Sequence, residues 1–125
     1  MRKPILFAVL ALVGAAAIAA TANLTWTNPT ENVDATPLPA SGAGSIASTR
    51  IEYGTCNVDA FGTKVGEVTV PGAATAGNVS GLAPGKWCFR AYTRNTYGNE
   101  SGPSNVASKT YEAPTPKPPT NFSVG

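Results

Sequence analysis

The clearest structural signal in the chain is KWCFRAYTRN, Lys86 to Asn95. Trp87, Phe89, Ala91 and Thr93 fall on one side of an extended chain, and Cys88, Arg90, Tyr92 and Arg94 fall on the other. A period of two in an aromatic-rich run marks a β-strand with one buried face. Ala83-Pro84-Gly85 just before it and Tyr97-Gly98-Asn99-Glu100-Ser101-Gly102-Pro103 just after it are turn chemistry.

The same pattern recurs outward in shorter form. Asn23 to Thr27, NLTWT, puts Leu24 and Trp26 on one face. Thr49, Ile51 and Tyr53 alternate with Arg50 and Glu52 up to Gly54. Val65 to Val70 reads as a third strand, with Val68 and Val70 facing one way before the Pro71-Gly72 turn. Val79 and Leu82 flank a fourth strand, and Asn105 to Tyr111 forms the last. Pro29 to Ala47 lacks periodicity and reads as a long loop. Gly and Pro number 13 and 11 of the 125 residues, and no stretch has convincing helical spacing. The expected fold class is therefore all-β, one antiparallel β-sandwich domain over residues 23–112.

The N-terminus belongs to another class of sequence. Met1-Arg2-Lys3 is basic, and Ile5 to Ala20 follows without a charge. Ala17-Ile18-Ala19 and Ala20-Thr21-Ala22 both fit the small-residue rule for signal-peptidase cleavage. Residues 1–22 are expected to be a signal peptide, cut after Ala19 or Ala22. An uncleaved anchor is the competing reading, but the run falls short of the roughly 20 residues that a spanning helix needs. The protein is thus expected to be exported: periplasmic, secreted, or on a virion or cell surface. No membrane contact is expected after cleavage.

Charge and chemistry narrow the function. Of nine basic residues two are Arg2 and Lys3, so seven basic and seven acidic residues remain beyond the leader. That leaves no basic footprint for nucleic acid. Histidine is absent, which removes Ser-His-Asp and Cys-His nucleophiles and histidine metal sites. The carboxylates Glu31, Asp34, Glu52, Asp59, Glu67, Glu100 and Glu112 form no acid/base motif. Asp34 and Asp59 offer too few ligands for calcium and read as ordinary loop carboxylates. Neither an enzyme nor a cofactor or metal is expected. Cys56 and Cys88 are two cysteines in an exported chain, either bridged or buried as free thiols.

In order and spacing, Leu24-Thr25-Trp26 with Pro29, Ile51-Glu52-Tyr53-Gly54, Gly81-Leu82-Ala83-Pro84-Gly85, the strand from Trp87, and Tyr97-Gly98-Asn99-Glu100-Ser101 leading to Ser104-Asn105 resemble the fibronectin type III family. The form is the one common in bacterial and phage proteins, and the match covers about Asn23 to Tyr111. It implies that the second strand and the aromatic strand are antiparallel neighbours. Cys56 and Cys88 would then meet as a disulfide on the outer side of the sheet. Two positions depart from the family. Asp34-Ala35 stands where Asp-Gly is common, and alanine disfavours a turn with φ > 0. Trp87 stands where a tyrosine is usual, and its indole N–H can substitute as the capping donor.

Function is then sought on the surface. If Trp87 and Phe89 face the core, Arg90, Tyr92 and Arg94 point outward beside Arg50 and Glu52, with Lys109 and Tyr111 joining from the last strand. Tyr and Arg are the residue types that dominate binding hot spots; a solvated face neutralised by Glu52 is the plainer reading. The loops Glu31–Ala47 and Thr96–Gly102, with Tyr97, are further candidates. Pro118-Pro119-Thr120-Asn121-Phe122-Ser123-Val124 looks like the family's opening strand, which is missing from the start of the domain. Behind a Pro-rich spacer from Ala113 to Pro119, Phe122 and Val124 would add a strand to their own domain or to the next molecule head to tail, or the tail is a disordered remnant. The expectation is a non-catalytic binding or structural module of a bacterial envelope or phage particle, with protein or surface glycan as partner. The alternative is a carbohydrate-binding or enzyme-accessory module.

Overall fold

Six strands account for the periodic segments in the computed structural model, which describes residues 19–125. They are β1 (Ala20–Thr25), β2 (Ile46–Asn57), β3 (Ala60–Pro71), β4 (Ala76–Leu82), β5 (Gly85–Asn95) and β6 (Ala107–Tyr111). β1 and β4 form a two-stranded antiparallel sheet. The other four form an antiparallel sheet in the order β3-β2-β5-β6. The molecule is an all-β sandwich.

The core lies between the sheets and is built from the alternation in each strand. Ala22, Ile51, Val79, Leu82 and Phe89 are buried, with Leu24, Trp26, Tyr53, Val68, Val70, Trp87 and Tyr111 packed around them. Burying Ile51, Leu82 and Phe89 contributes about 1.5–3 kcal/mol each. The two tryptophans close the core with their polar edges satisfied. Trp26 donates its indole N–H to Asn28 Oδ1 at 3.1 Å. Trp87 donates its own to the Ala83 carbonyl at 2.8 Å. Thr49 also faces inward at 2% exposure, and its hydroxyl has no partner among the described residues.

The structure moves several expected boundaries. β1 begins at Ala20, inside the segment expected to be leader. Ala22 pairs with Val79 and is 2% exposed, so the small residues that look like a cleavage motif also serve as a core strand. A cut after Ala22 would remove a core residue; a cut after Ala19 leaves β1 whole. The remainder of the expected signal peptide lies outside the described residues.

β2 does not end at Gly54. It runs to Asn57 and turns through Val58-Asp59 into β3, which starts at Ala60 rather than Val65. The strand passes Gly54 because a side chain there could not exist: its Cβ would lie 2.0 Å from the Thr63 carbonyl oxygen. The ladder is irregular on both sides of this glycine. β5, by contrast, follows the sequence reading, with Ile51 opposite Ala91 and Tyr53 opposite Phe89. Above β6 its edge is covered by loop residues: Ser104 and Ser101 each return an N–H and a hydroxyl bond to β5, on Ala91 and Thr93.

Cys56 and Cys88 form a disulfide with a Cα–Cα distance of 5.3 Å. Gly54 opposite Cys88 sets the register, and two residues further along β2 Cys56 reaches it diagonally. Cys88 is fully buried and sits on the face opposite Phe89, as the resemblance implied.

Candidate functional site

Pairing across the four-stranded sheet brings Arg50, Glu52, Glu67, Arg90 and Tyr92 onto its outer face. Glu52 stands directly opposite Glu67 on one side and Arg90 on the other. Two carboxylates face to face repel, and the basic residues around them resolve this. Arg50 bonds Glu52, Glu67 and, through both Nε and Nη2, Glu100 at 3.0 and 2.8 Å. Arg90 Nε donates to Glu52 at 2.8 Å, and Lys64 bonds Glu67. The rings lie beneath the guanidinium groups: Arg50 is 4.2 Å from the Tyr92 centroid and Arg90 is 4.0 Å from that of Phe61.

Glu52 is the hub, only 7% exposed. Burial pushes its carboxyl up, but the Arg50 and Arg90 hydrogen bonds win and bring it down to about 2 from the usual 4.5. The Arg50 bond likewise lowers Glu100, the Lys64 bond lowers Glu67, and the hydrogen bonds that Arg50 donates to Glu100 and Glu52 hold it more firmly protonated. The strongest donors of this face, Arg50 and the Arg90 Nε, are already engaged by its own carboxylates. Arg94, half exposed, reaches Glu100 only at 3.9 Å.

The remaining residues expected here are elsewhere. Lys109 pairs with Trp87 and Tyr111 with Gly85, so both lie on the inner side of the sheet, where Tyr111 packs against the core and Lys109 against its ring. The expected outward position fails because β6 pairs Ala107 with Phe89, which fixes the opposite phase. Glu67, Glu100, Lys64 and Phe61 belong to the outer face and were missed. Their signal is cross-strand partnership, visible only once the register is known.

The two loop candidates do meet, at the end of the sandwich where β1 and β5 finish. Gly44 donates to Thr96 Oγ1 at 2.7 Å and Thr96 donates to the Ser45 carbonyl at 3.0 Å. Between them is a hollow of about 530 Å³ bordered by Val33, Leu38, Ile46 and Asn99. Tyr97 lies outside it, over Gly44, and is 69% exposed. Asp34 spends its carboxylate on Thr36 of its own turn and Asp59 pairs with Lys86. Among the described residues no three His, Cys, Asp or Glu gather in a metal-binding group, and no helix is long and apolar enough to cross a membrane.

A second surface lies along β1, where the resemblance leaves the opening strand missing. Two strands cannot cover four, and among the described residues the sandwich is open beside β1. A cleft of about 350 Å³ there is lined by Leu24, Trp26, Ile51, Phe89, Ala91 and Ala107. β1 pairs only with β4 among the described residues. Trp26 N–H donates to Thr75 on the β4 side, so Leu24 and Ala22 turn their backbone groups the same way. Alternation leaves the N–H and C=O of Asn23 and Thr25 facing the open edge. An unpaired edge beside an apolar trough is the geometry that accepts an added strand. The tail has not taken the place: residues 113–125 form no strand, and Phe122 and Val124 are 91% and 95% exposed.

No family model, curated protein or solved structure matches this chain.

Proposed function

We propose that this chain is an exported, non-catalytic module of the fibronectin type III kind, serving a bacterial envelope or phage particle by binding extended protein segments along the open edge of β1. One observation carries the reading: the β1 edge and its cleft have unspent backbone groups and apolar surface, whereas the Arg50–Arg90 face has turned its donors on its own carboxylates. The Cys56–Cys88 disulfide fits an oxidising destination and supports the export half of the reading. Under this reading the cut falls after Ala19, since β1 needs Ala20 and Ala22.

The test is binding to arrays of extended peptides and of glycans, with four variants compared. Thr25→Pro removes an edge N–H without touching the β4 ladder and should abolish peptide binding. Arg50→Ala should leave it intact. Peptide binding lost on Arg50→Ala but kept in Thr25→Pro would move the function to the outer face. Glycan binding lost on Tyr92→Ala or Tyr97→Ala would make this a carbohydrate-binding module instead.

A further inference from the structure

We infer that the segment received by the β1 edge is the C-terminal tail of a second copy of this chain, so that molecules join head to tail. The inference rests on the reading of the β1 edge as a strand-accepting site and names its occupant. It follows from strand polarity, reach and side-chain pattern.

Polarity comes first. Ala20 pairs with Leu82 and Tyr111 pairs with Gly85, three residues further along the chain. The tail therefore leaves the domain at the end where β1 begins. A strand antiparallel to β1 has to enter at the other end, beside Thr25. A tail leaving one molecule points away from its own entry and towards that of a molecule stacked beyond it.

Reach does not force the tail home. Residues 112–120, in the extended form that their prolines favour, span about 28 Å at about 3.1 Å per residue, against about 20 Å for the six residues of β1. The tail is long enough to run up its own cleft and reverse, yet Phe122 and Val124 remain in solvent. The same length bridges comfortably to a neighbour.

The side chains fit the vacancy. Phe122 and Val124 alternate with Asn121 and Ser123, so a strand over residues 121–124 turns two apolar groups to one face. The trough offers Leu24, Trp26, Phe89 and Ala107 to receive them. Donor and acceptor lie at opposite ends of one molecule, so the contact is heterologous and need not close.

The experiment uses the full exported chain, with mass followed by light scattering across a roughly hundredfold concentration range. The wild type should grow at least twofold in mean mass. Thr25→Pro, or Asn23→Pro should the first variant fold poorly by circular dichroism, has a blocked edge and an intact tail. Phe122→Asp with Val124→Asp has an intact edge and a blocked tail; both positions are exposed, so its fold is safe. Each variant alone should stay monomeric, and an equimolar mixture should give a dimer and nothing larger. A wild type of constant monomer mass overturns the inference, as does a mixture that forms no dimer, or growth that persists without Phe122 and Val124. If Thr25-dependent binding of other extended peptides survived such a result, the occupant would be wrong and the edge reading would stand.

Discussion

Replacing Glu52 with glutamine probes the hub of the outer face directly. The carboxylate is 7% exposed and accepts from Arg50, Arg90 and the Tyr92 hydroxyl. Against the opposing cost of burial, those bonds bring its pKa from 4.5 to about 2. At about 1.36 kcal/mol per unit that corresponds to about 3 kcal/mol of folding stability. The sheet is one layer deep with water on its outer side, and screening brings the expected figure to about 1–2 kcal/mol. The sign follows from a folded value below the unfolded one. The contribution is whole above about pH 4.5 and disappears as the pH falls through about 2. Urea unfolding of wild type and Glu52→Gln at a series of pH values should show a gap near neutrality that closes in that window. Asp34, bonded only within its own turn, titrates alike in both proteins and cancels in the difference, whereas Glu67 and Glu100 share Arg50 with Glu52 and contribute to it. A gap that stays constant down to pH 2, or no gap at pH 7, refutes the argument. A cycle with Arg90→Gln should return a favourable coupling for the pair.

Three further outcomes follow from other features. Thr49→Val removes a buried hydroxyl that has no partner and should stabilise the domain by about 1 kcal/mol, a rise of several degrees in Tm; a fall would mean that the hydroxyl is bonded after all. Ala35 and Val58 occupy the left-handed region at φ 70 and 59, so Ala35→Gly and Val58→Asn should each add about 0.5–1 kcal/mol, read from the urea midpoint. Cys56→Ser with Cys88→Ser opens a bridge across 32 positions and should cost about 3–4 kcal/mol; a reductant that leaves the wild-type midpoint unchanged would contradict this.

The sequence was legible where burial is one-sided and alternation is strict. Trp87, Phe89 and Ala91 set the phase of β5, and Thr49, Ile51 and Tyr53 that of β2, because each buried side chain alternates with a polar one. It was ambiguous where one composition serves two physical ends. Ala20-Thr21-Ala22 suits a peptidase and a tightly packed edge equally well, since both want small residues. Ala35 shows the converse: alanine argued against φ > 0, yet the turn closes on Asn32, Asp34 and Thr36 hydrogen bonds and carries the strain. The Val58-Asp59 turn was hidden because its residues are poor hairpin formers, held instead by the long ladder and by Lys86 bonding the Val58 carbonyl. Charge composition shows a neutral surface, but not that Arg50 touches three glutamates; that needs the register. The open cleft is a deficit of strands among the described residues, and the sequence announces it only through the resemblance that leaves the domain without its opening strand.

The start of β1 at Ala20 has a consequence in time. If the leader is removed after Ala19, no slack separates the scissile bond from the first residue of the sheet. The peptidase would then have to hold in the open the same Ala20–Ala22 segment that the folded domain pairs with Leu82 and Val79. Under the proposed export, maturation and folding would therefore compete for one stretch of chain, and whichever engaged it first would exclude the other. A chain delivered unfolded across the membrane can be cut and then close; one that closed early would shield its own cleavage site.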